Sequence, residues 1–227
     1  MKPPLACVVR GRKLVGSGRE LADVELVGCE FNGCTLAQFG DPGFGLVVRD
    51  VVAEKLSAKR CVVDGVRFED VRVDGLALSS LTHLTGCLFR RVTLRGRIGP
   101  LMATSPNFGL SEDVRAAFVA AAEQYYAEAD PATDWALDIT EAEFSEADLY
   151  YVPGHLVRRD PETQFLLHRD RLAGVDVKGL PLFGQIALER FDESPFDSIV
   201  AVAPRRSANF AERLEAYETL RSLGVAE

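Results

Sequence analysis

Residues 61–78 read CVVDGVRFEDVRVDGLAL and fall into the hydrophobic pairs Cys61-x-Val63, Val66-x-Phe68, Val71-x-Val73 and Leu76-x-Leu78. A strand repeats every 2 residues and a helix every 3.6, so a sustained beat of 5 belongs to neither alone. It is the pattern of a chain that turns a corner every five residues and stacks on itself.

The beat extends both ways. Upstream it runs through Val24-x-Leu26, Cys29-x-Phe31 and Cys34-x-Leu36, then meets Gly40, Pro42, Gly43 and Gly45, which read as a loop. If the second position of each pair is its centre, the second run has centres Val48, Ala53, Ala58, Val63, Phe68, Val73 and Leu78. One residue is inserted near His83 and Leu84, after which Cys87-x-Phe89 and Val92-x-Leu94 resume. Four pentads per turn stack residues about twenty apart. Val48, Phe68 and Phe89 then form one column, and Ala53, Val73 and Leu94 another. A third run steps through Leu137-x-Ile139, Ala142-x-Phe144 and Ala147-x-Leu149. Between the second and third runs, Ser111 is a candidate N-cap and Val114, Phe118, Ala121 and Tyr125 share one helical face. A helix near 112–127 is expected to leave the stack, cover an open end and let the third run return.

These runs resemble pentapeptide-repeat proteins, whose motif is A(D/N)Lxx. The nearest matches are Ala147-Asp148-Leu149 and Ala142-Glu143-Phe144; Ala22-Asp23-Val24 has similar residue types two positions out of register. The resemblance covers roughly 20–98 and 136–151, about 45% of the chain. The family favours small residues at the first inward position, where this chain has Leu46, Leu56, Leu76 and Leu137. The resemblance implies a mainly β fold, a short right-handed parallel β-helix over 1–153. A C-terminal α+β lobe over 154–227 would pack on it. In that lobe His155–Arg159 and Gln164–Arg169 flank Asp160-Pro161-Glu162-Thr163 and read as a hairpin. Leu180–Phe191 reads as a helix and Ser198–Ala203 as a strand. The last helix is expected to start at a Ser207 cap, bury Phe210, Leu214, Tyr217 and Leu220, and end at Gly224.

The 227 residues carry a net charge of −8, with about +4 in 1–103 and about −12 in the remainder. Apolar runs are too short to span a bilayer and the start lacks a secretory pattern, so a cytoplasmic protein without membrane contact is expected. Cys29, Cys34, Cys61 and Cys87 occupy inward pentad positions, where a thiol behaves as a small hydrophobe. The count of five is odd and CxxC is lacking, so neither a disulfide framework nor a zinc site is indicated, and no cofactor or metal is expected.

Chemistry is sparse at this level. His168-Arg169-Asp170 spells a kinase triplet without the other kinase motifs, and Gly16-Ser17-Gly18 lacks a following GK[ST]. His83, His155 and His168 have no ligand spacing. Two charged clusters stand out. Asp138, Glu141, Glu143, Glu146 and Asp148 all point outward in the third run, in a stretch, 128–148, with eight carboxylates and no Lys or Arg. Arg158, Arg159, Arg169 and Arg171 lie on the two arms of the expected hairpin. Either cluster can be a solvated or internally paired face, or can meet an oppositely charged partner.

The expectation is a non-catalytic protein–protein interaction protein, with the acidic run, Arg158, Arg159 and Arg169 as its candidate contact residues. An immunity-like role, as in some bacterial repeat proteins, is an analogy only. A topoisomerase-binding DNA mimic is the first alternative. It needs a negative stripe, whereas Arg67 and Arg72 sit outward beside Glu69, Asp70 and Asp74. Direct nucleic-acid binding is not expected. The second alternative is an enzyme with its site between the stack and the C-terminal lobe.

Overall fold

The computed structural model describes residues 7–38, 45–107, 109–130 and 133–227. The loop expected at 40–45 lies, except for Gly45, outside them. The described chain is mainly β, with two large parallel sheets and three α-helices: α1, Glu112–Ala127; α2, Leu182–Asp192; α3, Phe210–Ser222.

The larger sheet orders Val8–Arg10, Glu30–Asn32, Leu46–Lys59, Val66–Leu78, Val92–Ile98, Leu137–Asp138 and Val157–Arg158. Glu20–Val27, Leu88–Arg90 and Ala142–Phe144 attach to its long members. The second sheet orders Lys13–Val15, Thr35–Ala37, Val62–Asp64, Thr82–Thr85, Leu101–Thr104 and Ala147–Asp148. The chain alternates between the sheets, and most strands pair with a strand about one circuit later. Both expected columns are present: Val48 lies against Phe68 and Phe68 against Phe89, while Ala53 lies against Val73 and Val73 against Leu94. Leu84 takes the centre after the insertion, opposite Val63, and His83 is exposed.

The five-residue period has a backbone cause. Residues 23, 28 and 33, then 50, 55, 60, 65, 70 and 75, then 86, 91 and 96 all have φ between 52° and 79°. Each left-handed residue falls two positions after a pentad centre and bends the strand. Half of these corners are not glycine: Asp23, Asp50, Lys55, Arg60, Asp70 and Arg91. An L-residue pays roughly 1–2 kcal/mol to sit there, which the aligned ladders on both sides must offset. Gly65 is the glycine corner that lies closest to fixed backbone. Its φ is +64°, and a Cβ would lie 3.1 Å from the Gln38 carbonyl oxygen and 3.3 Å from Phe118. Gly65→Val should therefore cost about 3 kcal/mol, from a left-handed β-branched residue plus overpacking. A urea melt with an unchanged slope and a lowered midpoint is the expected readout; a midpoint within error of wild type would refute it.

α1 begins after Ser111, as expected, although the Ser111 side chain makes no capping bond. The helix lies along the flank of the stack instead of over an end. Phe118 sits beside Gly65, the Tyr125 hydroxyl donates to Glu69 at 2.9 Å, and the Phe89 amide donates to the Tyr126 hydroxyl at 3.1 Å. The third run then rejoins the sheets, with Val92 against Leu137, Gly96 against Ala142 and Leu101 against Ala147. Parallel pairing continues past residue 153, through Val157 against Leu137.

The expected hairpin is corrected. Val157–Arg158 joins the larger sheet, and Gln164–His168 pairs antiparallel with Ser198–Val202 instead. Asp160-Pro161 does turn the chain, but it carries it off the stack rather than back on itself. The two-stranded sheet is sandwiched. Leu166, Val200 and Val202 pack towards the stack; Phe165, Leu167, Ile199 and Ala201 pack towards α2 and α3. α3 starts at Phe210 after Asn209, two residues later than a Ser207 cap implies. Ser207 instead closes the preceding turn through its amide to the Pro204 carbonyl at 2.9 Å. Gly224, with φ +76°, follows its end.

Candidate functional site

The acidic run is engaged inside the molecule. Glu146 pairs with Arg213 of α3, Asp148 lies 3.2 Å from Arg190 of α2, and Glu141 lies 3.5 Å from Arg95. Asp138 accepts the Thr140 amide at 3.2 Å, and the Glu143 carbonyl accepts from Arg206 at 3.3 Å, leaving the Glu143 side chain exposed. Glu146 and Asp148 thus meet helices that follow them by 40 residues or more, and these two pairs fasten the lobe to the stack. Sequence periodicity marked the acids as outward but held no signal for which arginines would reach them.

The arginines take other partners. Arg158 stacks on Trp135 at 3.5 Å from the ring centre. Arg159 donates to the Gln164 carbonyl at 3.2 Å, and burial lowers its pKa. Arg169 donates to the carbonyls of Phe191, Ser194 and Phe196 and covers the Phe191 ring. Arg171 pairs with Glu227 at 2.5 Å. The two sets adjoin at one place, where Asp138 and Arg158 are register partners on paired strands; their other members take separate partners. Arg169 caps a turn of the lobe, which gives the His168-Arg169-Asp170 triplet a structural role.

Asp148 has a measurable consequence. Burial pushes its carboxyl up to about 6, against the opposing pull of Arg190 and Arg213. A carboxyl raised in the folded state contributes stability below its unfolded pKa of 3.8 and loses it as pH rises through about 6. Wild type minus Asp148→Asn should therefore show a stability difference that turns against wild type between pH 4 and 7. Asp70, held low mainly by its hydrogen bond from Arg91, acts in the opposite sense, losing stability as pH falls. Denaturant melts of both proteins across that range isolate the Asp148 part; parallel curves would contradict it.

Two histidines far apart in sequence meet at the seam between stack and lobe. His155, His168, Arg169, Asp170, Asp197 and Ser198 line an open polar hollow. The buried Ser198 hydroxyl accepts the His155 amide at 3.0 Å and lies 3.3 Å from His155 Nδ1. Burial lowers the His155 pKa, Asp197 opposes this, and His168 adds to it. His168 Nε2 is 3.4 Å from Glu227. The hollow can hold a polar group, and its Ser198 oxygen already serves the backbone.

The other cavity is apolar and lies between the two sheets, with a volume of about 370 Å³. Its wall is built from pentad centres and first positions, among them Leu21, Leu26, Phe31, Leu36, Ala53, Ala58, Val63, Phe68, Val73, Leu84, Phe89 and Leu94. Phe68 and Phe89 stack in it, centroids 5.8 Å apart and planes 10° off parallel. Cys34 and Cys61 border it as small hydrophobes. Cys29 and Cys87 are buried, and burial pushes the Cys87 thiol up to about 12. Cys7 approaches Cys29 at 2.7 Å between sulfurs, which ties the start of the described chain to the next layer. Leu21, Leu26, Leu36, Val63, Phe68, Val73 and Leu84 point inward yet remain only partly buried, because they face this space. The beat announced an interior; it did not announce that Ala53 and Ala58 would leave it unfilled.

No helix among the described residues is long and apolar enough to cross a membrane. No family model, curated protein or solved structure matches this chain.

Proposed function

We propose that the chain is a non-catalytic binding protein built on a right-handed parallel β-helix, and that its outer wall receives a protein partner. The observation that carries this is the row Glu25, Val52 and Arg72. These residues are adjacent across three paired strands, and all are exposed. Val52 is a large hydrophobe left 44% exposed in the middle of a long, regular sheet. Asp50, Glu54, Lys55 and Asp74 surround the row and are also exposed. A flat face with an apolar centre and both signs of charge fits a folded protein surface of complementary pattern. A duplex mimic needs uniform negative charge, so the mixed signs favour a protein partner over the DNA-mimic reading.

The test compares the full chain with Val52→Glu combined with Arg72→Glu, both immobilised and exposed to lysate of the source cells. A stoichiometric partner retained by wild type and lost by the folded double variant supports the reading. Retention by both, or by neither, overturns it.

The contact between His155 and Ser198 favours one second reading, a hydrolase at the seam. Turnover of simple nitrophenyl esters that disappears in both His155→Ala and Ser198→Ala would support it. Turnover unchanged by either substitution would dismiss it.

A further inference from the structure

We propose that the cavity between the two sheets binds one long-chain fatty acid, its hydrocarbon chain running along the stack and its carboxylate held at Arg12 and Lys13. The volume is about 370 Å³, whereas an apolar cavity of about 150 Å³ already stays dry and takes up benzene. Its lining reaches from Lys13 in the first strand of the second sheet to Leu149 just after the last. Six strands spaced about 4.8 Å apart make that path roughly 24 Å long. A space that long for its volume suits a single extended polymethylene chain.

Charge decides the head group. Arg12 and Lys13 are the charged residues of the lining, which includes no carboxylate. Both are exposed, so the cavity meets solvent beside them. An acidic head at this mouth gains two cations while its tail leaves water. The opposite end is closed by large apolar side chains, with Leu137 and Leu149 both buried. The ligand therefore enters tail first. The space exists where Ala53 and Ala58 stand at pentad centres that are Leu, Val or Phe in neighbouring layers.

The test is equilibrium dialysis of the delipidated full chain with radiolabelled laurate, myristate and palmitate. Expected is one molecule per chain, tightening by about fourfold per added methylene until the cavity is full. Ala53→Leu and Ala58→Leu, made separately, should each weaken palmitate at least tenfold while keeping or raising the melting temperature. Arg12→Glu with Lys13→Glu should weaken palmitate about tenfold and leave hexadecanol unchanged. Absence of saturable binding by wild type overturns the proposal. So does wild-type affinity in whichever alanine variant remains folded, since that places the ligand on the surface. The partner capture described above is independent of these results, because Val52 and Arg72 face away from the cavity.

Discussion

Gly154→Ala is expected to lower the melting temperature by roughly 6–12 °C, the shift that about 3 kcal/mol produces in a chain of this size. Gly154 is buried where the last turn of the stack meets the lobe. A Cβ there would lie 2.6 Å from Leu166 Cδ1, 2.7 Å from the Ile199 carbonyl carbon and 2.8 Å from its oxygen. Leu166 can change rotamer. Ile199 cannot yield, because its backbone is fixed in the strand Ser198–Val202, paired to Leu167. One added methyl must then push the lobe from the stack and loosen both apolar clusters at once. Differential scanning calorimetry checks this, and a shift below about 2 °C would mean that the two parts are not in such close register. Gly174→Ala is the control, since a Cβ there meets nothing within 4 Å, although its φ of +82° adds a small backbone cost.

Phe196→Ala should cost about 3–5 kcal/mol, the range for emptying a buried aromatic site. Phe196 is 7% exposed and touches three parts of the fold. Its ring meets Tyr126 of α1 edge-on at 5.4 Å and Tyr151, beyond the third run, at 5.7 Å, while its carbonyl accepts from Arg169. The loss therefore falls on the joint that holds helix, stack and lobe together. Phe196→Leu should recover about half of it, because Leu refills volume without restoring the ring contacts. Urea unfolding followed by the single tryptophan, Trp135, reads both variants; equal midpoints for Ala and Leu would contradict the packing argument.

The inward columns were readable because a layer built every twenty residues repeats the same burial at the same place. Val48, Phe68 and Phe89 line up for that reason, and one inserted residue shifts the last of them without breaking the column. The corners were not readable. Left-handed backbone falls on Asp, Lys, Arg and Gly alike, so no single residue type marks it. The lobe was misread at Asp160-Pro161, where local chemistry specifies a turn but says nothing of the partner strand. That partner, Ser198–Val202, lies some thirty residues on, beyond α2. Periodicity placed the acidic run on the outer side of the stack but held no sign that Arg190 and Arg213 would reach it, because no local pattern encodes helix packing.

The central claim is the layered register that makes the wall and encloses the cavity. It is tested most directly by pairing cysteines across neighbouring layers and mapping the resulting disulfides by mass spectrometry. Val52→Cys with Arg72→Cys places thiols on in-register neighbours of two parallel strands and should oxidise readily. Val52→Cys with Asp74→Cys sits two positions out of register and should remain reduced under the same conditions. Preferential closure of the 52–74 pair, or no closure of 52–72, would contradict the account.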